Sequence, residues 1–132
     1  MSGLFRKVDC IRIPVPDLEL GLLFYRDALG HDLLWRSATA AGLKMPGSDS
    51  ELVVHTEGDA GPNLLVDDLW QAVDRVVDAG GRVLEPPRDI QIGRCAVLAD
   101  PWGNALVLLD MSKGALIIDA AGNVIGNAEP RP

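Results

Sequence analysis

A chain of 132 residues amounts to one compact domain, which excludes a large multidomain enzyme or a long repeat array. Twelve Lys and Arg against nineteen Asp and Glu leave a formal charge of −7, the wrong sign for gripping a phosphate backbone or an anionic membrane surface. Hydrophobic residues at 48% and charged ones at 23% fit a folded chain, while 5% aromatics leave few platforms on which bases could stack.

The N-terminal run Met1 to Arg6 has no apolar core followed by a small-residue cleavage site, and no stretch nears the ~18 apolar residues of a membrane span, so a cytoplasmic location is expected. Cys10 and Cys95 form no Cys-x-x-Cys pair and are expected to be reduced thiols. From Val8 to Val15, apolar Ile11, Ile13 and Val15 alternate with mixed residues, as in a half-buried strand. Pro16-Asp17 ends it, Asp17 serves as an N-cap, and Leu18, Leu22, Tyr25 and Leu29 form the stripe of an amphipathic helix stopped by Gly30. Three short strands are expected at Asp32 to Arg36, Ala40 to Met45 and Glu51 to Thr56. The order then restarts. A strand from Pro62 to Val66 precedes N-cap Asp68, with Gln71 placed for a capping box, and a stripe of Leu69, Ala72, Val73 and Val76 closed by Gly80-Gly81. Strands Arg82 to Glu85, Arg94 to Ala99 and Asn104 to Asp110 follow, the last two joined by Asp100-Pro101-Trp102-Gly103-Asn104.

A shift of 51 residues pairs Val15, Asp17, Leu18, Asp27, Ala28, Gly30 and Leu33 with identical residues at 66, 68, 69, 78, 79, 81 and 84. Seven identities in twenty positions, with flanking strands in the same order, indicate a duplicated βαβββ unit. Beyond Asp110, Ala115 to Asp119 and Asn123 to Gly126 flank Ala120-Ala121-Gly122 as a hairpin, too small to be stable alone and so expected to dock on the domain or on a second subunit. Residues 127–132 read as a tail.

Ile13-Pro14-Val15-Pro16-Asp17-Leu18, Phe24-Tyr25-Arg26-Asp27-Ala28-Leu29-Gly30, Val66-Asp67-Asp68-Leu69, Ala79-Gly80-Gly81 and Asp100-Pro101-Trp102-Gly103-Asn104, in that order over about residues 6–110, resemble the vicinal oxygen chelate superfamily of glyoxalases, bleomycin resistance proteins and ring-cleaving dioxygenases. The resemblance implies an α+β fold of two βαβββ modules, about 6–57 and 61–110, whose curled mixed sheets surround a cavity with helices on the convex side. A hairpin extension at about 113–127 completes a single domain over 1–132, and a homodimer is implied. It also implies metal-binding His, Glu or Gln at four positions. Here these are Cys10, Gly61, Val107 and, in the fourth strand, Glu51 or His55. Gly61 and Val107 offer no donor, and a catalytic centre ordinarily needs three protein ligands, so neither metal nor other cofactor is expected.

If strand alternation holds, Val8, Cys10 and Arg12 face the cavity, as do Glu51, Val53 and His55 on the fourth strand, Asn63 and Leu65 on the fifth, and Ala105, Val107 and Leu109 on the eighth. Arg12 inside an apolar cup either meets Glu51, awaits a ligand's carboxylate or phosphate, or snorkels to solvent. His55 is a candidate base or hydrogen-bond donor, or a satisfied structural residue. Cys10 is a buried small hydrophobe or, with Arg12 nearby, a nucleophile. Trp35 and Trp102 are candidate flat ligand contacts and Trp70 a candidate subunit contact. His31 is expected to be exposed beside a helix C-terminus. No phosphate-binding loop or serine-hydrolase elbow is present.

The leading expectation is a metal-independent protein that binds a small organic molecule, in the manner of bleomycin resistance proteins, with Cys10, Arg12, Trp35, Glu51, Val53, His55, Asn63, Trp102 and Val107 as its contacts. The alternatives are a glyoxalase-like lyase, isomerase or dioxygenase whose metal is held by Cys10, Glu51, His55 and a residue from a partner chain, and an interaction module that docks a partner through its hairpin.

Overall fold

The structure, a computed structural model, describes residues 3–128. The strands are β1 (Lys7–Pro14), β2 (Leu33–Arg36), β3 (Ala40–Lys44), β4 (Glu51–His55), β5 (Gly61–Leu65), β6 (Arg82–Asp89), β7 (Arg94–Ala99), β8 (Ala105–Asp110), β9 (Leu116–Ile118) and β10 (Val124–Asn127). Helix α1 (Leu18–Leu22) runs into a π-helical segment, Leu23–Ala28, and α2 spans Leu69–Asp78. This is the expected α+β pattern: two βαβββ modules and a C-terminal hairpin. By contact density the chain forms two compact units, one of residues 9–62 with 117–126, the other of residues 3–8, 63–116 and 127–128.

In the first unit the strand order is β2-β3-β4-β1. β1 runs parallel to β4, whereas β3 is antiparallel to β2 and β4. Leu18 and Leu22 are buried with Ala41, Leu43 and Val54, and Ile13, Val15, Tyr25, Leu33 and Leu52 pack around them. Asp17 caps α1 by accepting from the Leu20 amide at 3.0 Å. The expected stripe fails at its last residue, since Leu29 is 54% exposed. The Leu29 amide bonds the Phe24 carbonyl five residues back, and this wider π-type turn rotates later residues away from the core.

The second unit repeats the plan as β5-β8-β7-β6. Asp68 accepts from the Gln71 amide at 2.9 Å, and α2 buries Leu69 and Ala72 against Val66, Ala96, Leu98 and Leu108, with Val73 and Val76 alongside. Leu4 packs on the same cluster. β6 is longer than the sequence indicates because it continues through Pro86-Pro87 to Asp89. The strand shifts register between Val83 and Glu85 and again between Glu85 and Arg88, the second shift taking in both prolines on this edge strand, where no outward N–H is needed.

The hairpin is anchored within the first unit. The Arg36 amide donates to the Gly122 carbonyl at 2.7 Å, and Arg36 forms a parallel bridge with Asn123. Its turn, Asp119-Ala120-Ala121-Gly122-Asn123, repeats the construction of Asp100–Asn104: each Asp accepts from the amides two and four residues on and from the Asn side chain. Hydrogen bonding by the Asn104 side chain holds the Asp100 carboxyl below its ordinary 3.8. The Asn123 amide does the same for Asp119. A depressed carboxyl pKa contributes stability that is fully present above the unfolded value and lost as pH falls through the folded one. Thermal melts of Asp100→Asn and Asp119→Asn should therefore differ most from the parent at neutral pH, with the gap closing as the acid range below 3.8 is entered. A gap that is the same at all pH values refutes this account.

Candidate functional site

On the face of the first unit opposite Leu52 and Val54, the register sets three rows: Lys44, Glu51 and Cys10; then Gly42, Val53 and Arg12; then Ala40, His55 and Pro14. Cys10, Arg12, Glu51, Val53 and His55 thus share one face as the alternation requires. Trp35 joins them through a bulge. Leu33 packs on the helix side, and the register shift between Leu33 and Trp35 moves the indole to the other face. There the ring lies across Gly42 and its Nε1 donates to Glu51 Oε1 at 2.7 Å. A Cβ on Gly42 would stand 2.0 Å from Nε1, so only glycine admits the indole. A glycine inside a strand is the sequence signal for such a close approach.

Arg12 is level with Val53, and its charge does not go to Glu51: Nη1 donates to the Asp59 main-chain carbonyl at 3.1 Å. His55, 7% exposed, brings Nε2 to within 3.2 Å of the same carbonyl. A carbonyl oxygen only accepts, so Nε2 carries the proton and, in the neutral ring, Nδ1 bears the lone pair. Arg12 Nε and His55 Nδ1 are both buried and lack hydrogen-bond partners among the described residues. Groups in that state each cost about 1–3 kcal/mol unless water or a ligand pairs them. The loop that brings Asp59 over them turns at Gly58, with φ +94°.

In the second unit Asn63 is paired with Val107, and Val107 with Val97, on the face turned away from the Leu108 cluster. Asn63 Oδ1 is another buried atom without a partner. Trp102 is 84% exposed at the tip of the Asp100–Asn104 turn, and Trp70 is exposed on the first turn of α2. His31 departs from expectation: it is half-buried, with Nδ1 2.9 Å from the Lys44 carbonyl. A hollow of about 220 Å³ whose lining includes Leu4, Arg6, Asp67, Asp68, Gln71 and Arg75 contains none of the ligand contacts expected from the sequence.

The side chains present do not fit a metal centre of the implied kind. Cys10, a 4%-exposed thiol, is level with Glu51, whose Oε1 is engaged by Trp35, while His55 Nε2 is committed to a carbonyl. Gly61 has no side chain and Val107 offers only methyl groups. Among the described residues, no three His, Cys, Asp or Glu converge as a metal-holding group.

Paired βαβββ modules of this order define the vicinal oxygen chelate superfamily. Within it, the chain belongs to the family described as Glyoxalase-like domain, whose model matches residues 10–109. It is 37% identical over 67 residues to "Putative glyoxylase CFP32" of Mycobacterium bovis and of Mycobacterium tuberculosis. That match takes in 48% of this chain and 26% of each relative, so the chain spans about a quarter of their length. Among solved structures it resembles methylmalonyl-CoA epimerase from Mycobacterium tuberculosis (TM-score 0.67, 22% identity, 83% of this chain and 91% of that one). It also resembles the Mn(II)-bound glyoxalase from Novosphingobium aromaticivorans (TM-score 0.58, 15% identity, 96% and 42%) and an extradiol ring-cleaving dioxygenase from B. fuscum (TM-score 0.59, 19% identity, 81% and 33%). These likenesses establish the fold. No helix among the described residues is long and apolar enough to cross a membrane.

Proposed function

We propose that this protein binds a small organic molecule without a metal, as a single glyoxalase-like domain of two modules with a hairpin extension. The observation that carries the reading is the donor set. At the four positions where the superfamily resemblance implies metal ligands stand a buried thiol, a glycine, a valine and, in the fourth strand, either a carboxylate engaged by an indole or a histidine held by a main-chain carbonyl. Loss of donors removes the Lewis acid that would polarise substrate oxygens, but leaves the binding face on which Arg12, Trp35, Val53 and His55 stand. Cys10 and Glu51 border that face; Asn63, Val107 and Trp102 are further ligand contacts in the same reading. The protein acts in the cytoplasm as a homodimer, with the exposed Trp70 as a subunit contact, and its acidic charge supports small molecules rather than nucleic acid as partners.

Native mass spectrometry of protein purified without chelator, with a thermal-shift screen over aromatic compounds, glycopeptides and short organic acids, tests this. The expected result is under about a tenth of an equivalent of nickel, zinc, iron or manganese, and stabilisation by at least one compound that persists after EDTA treatment, since a ligand at 100 times its Kd adds about 2.7 kcal/mol. A full equivalent of metal would assign the protein to the lyase, isomerase or dioxygenase reading instead, with Cys10, Glu51, His55 and a residue from a partner chain as ligands.

A further inference from the structure

The geometry points to a carboxylate subsite on Arg12, covered in this structure by the Asp59 carbonyl and uncovered by movement of the Gly58 loop. The inference rests on the small-molecule reading above and specifies the chemical class of the ligand. Arg12 uses one corner of its guanidinium, Nη1, on a neutral main-chain carbonyl. Its opposite edge, Nε with Nη2, is the edge that receives the two oxygens of a planar carboxylate side by side, and here Nε is buried without an acceptor. Nη2 lies 3.4 Å from where a Cβ of Gly61 would be, so Gly61 places no side chain against that edge.

The second observation is independent of Arg12. His55, more than nine-tenths buried, is held by the same carbonyl through Nε2 and presents an unpartnered Nδ1. Two donors converging on one oxygen, each with its neighbouring nitrogen unmatched, describe a site whose own backbone stands where a more highly charged oxygen belongs. The cover lies open to solvent: Thr56–Ala60 is exposed between β4 and β5, and the chain turns at Gly58 and Gly61, at φ +94° and +132°, conformations glycine adopts without strain. A carboxylate that replaces the Asp59 carbonyl stands at Nη1 and His55 Nε2, so that His55 donates to the ligand and a turn of the guanidinium presents its Nε–Nη2 edge to the charged oxygens. A tetrahedral phosphate matches this set less well. It calls for several donors around it, and the remaining free nitrogen, Nδ1, is an acceptor.

The test is a titration of the ¹⁵N-labelled full chain with acetate, hexanoate, benzoate and phenylacetate, with their primary amides, and with inorganic phosphate, followed by NMR. At least one acid should saturate with a Kd tenfold or more below that of its amide, shifting the Gly58 and Asp59 amide signals. Arg12→Lys, which keeps the charge and loses the fork, should weaken that acid tenfold and leave the amide unchanged. Arg12→Gln should do the same, and if either variant unfolds, the acid-to-amide ratio of the parent protein decides. Equal binding of acid and amide overturns the carboxylate subsite while leaving the small-molecule reading intact. So does phosphate binding more tightly than every acid, or an Arg12→Lys variant that binds as the parent does. Absence of saturation by every acid also overturns it, and the small-molecule reading then stands or falls on the wider screen.

Discussion

Asp110→Ala is expected to lower stability by roughly 3 kcal/mol and the melting temperature by about 10 °C, measured by urea and thermal denaturation. The carboxyl is 3% exposed and lies at the end of β8, where it accepts from four donors: the Leu69 amide at 3.1 Å, the Arg94 amide at 3.1 Å, and the Ser112 amide and hydroxyl at 3.3 and 2.8 Å. Leu69 is the first residue of α2, so one side chain joins the helix start, the entry of β7 and the chain leaving β8. Truncation takes the acceptor from three main-chain N–H groups, of which the buried Leu69 amide is least able to turn to water and so costs more unpaired than its hydrogen bond contributed. The packing offers no repair. A Cβ on Gly93, next to Arg94, would already be 2.1 Å from the Asp110 carbonyl oxygen, so this corner cannot shift inward. Asp110→Asn, which keeps one oxygen, should lose about half as much, and Ser112→Ala no more than about 1 kcal/mol. Equal losses for Asp110→Ala and Ser112→Ala would refute the assignment of Asp110 as the shared acceptor.

Gly42→Ala should act on the other unit, and on the site. Its methyl group would lie 2.0 Å from Trp35 Nε1, 2.4 Å from Cε2 and 2.6 Å from Glu51 Oε1, so the indole must swing off the sheet. The expected loss is about 2 kcal/mol, combining steric displacement with a broken hydrogen bond to a charged acceptor. Tryptophan emission should shift to the red as the ring meets water. Trp35→Ala removes the object the methyl would strike, so in that background Gly42→Ala should cost under about 1 kcal/mol; this non-additivity is the diagnostic. Simple additivity of the two substitutions would show that the indole does not rest on Gly42.

Much of the fold was legible because its signals are local. Asp17 and Asp68 each cap a helix one duplicated unit apart, the stripes Leu18/Leu22 and Leu69/Ala72/Val73/Val76 reach their cores, and Gly30 and Gly80 take the positive φ that ends a helix. Strand alternation sufficed to place Cys10, Arg12, Glu51, Val53 and His55 on one face. The Asp119–Asn123 turn was available to the same kind of inspection, since it repeats the Asp-x-x-Gly-Asn pattern of residues 100–104. What failed was whatever depended on a residue's hydrogen-bond phase or edge status. The π-type bond at Leu29 breaks the stripe without a sequence mark, and Pro86-Pro87 reads as a stop although an edge strand tolerates it.

By itself, the sequence determined the duplicated βαβββ plan, its family resemblance and the absence of a side-chain donor at Gly61 and Val107, because capping, periodicity and the presence or absence of a donor atom belong to single residues. Only the tertiary structure decided what the remaining polar groups do. Arg12 passes over the carboxylate the sequence offers it for a main-chain carbonyl shared with His55, Trp35 crosses to the site face through a bulge, and Asp110 reaches a helix 41 residues away. The reason is physical. A buried polar group must take whichever partner lies within about 3 Å, and that neighbour is set by register, bulges and loop closure rather than by spacing along the chain.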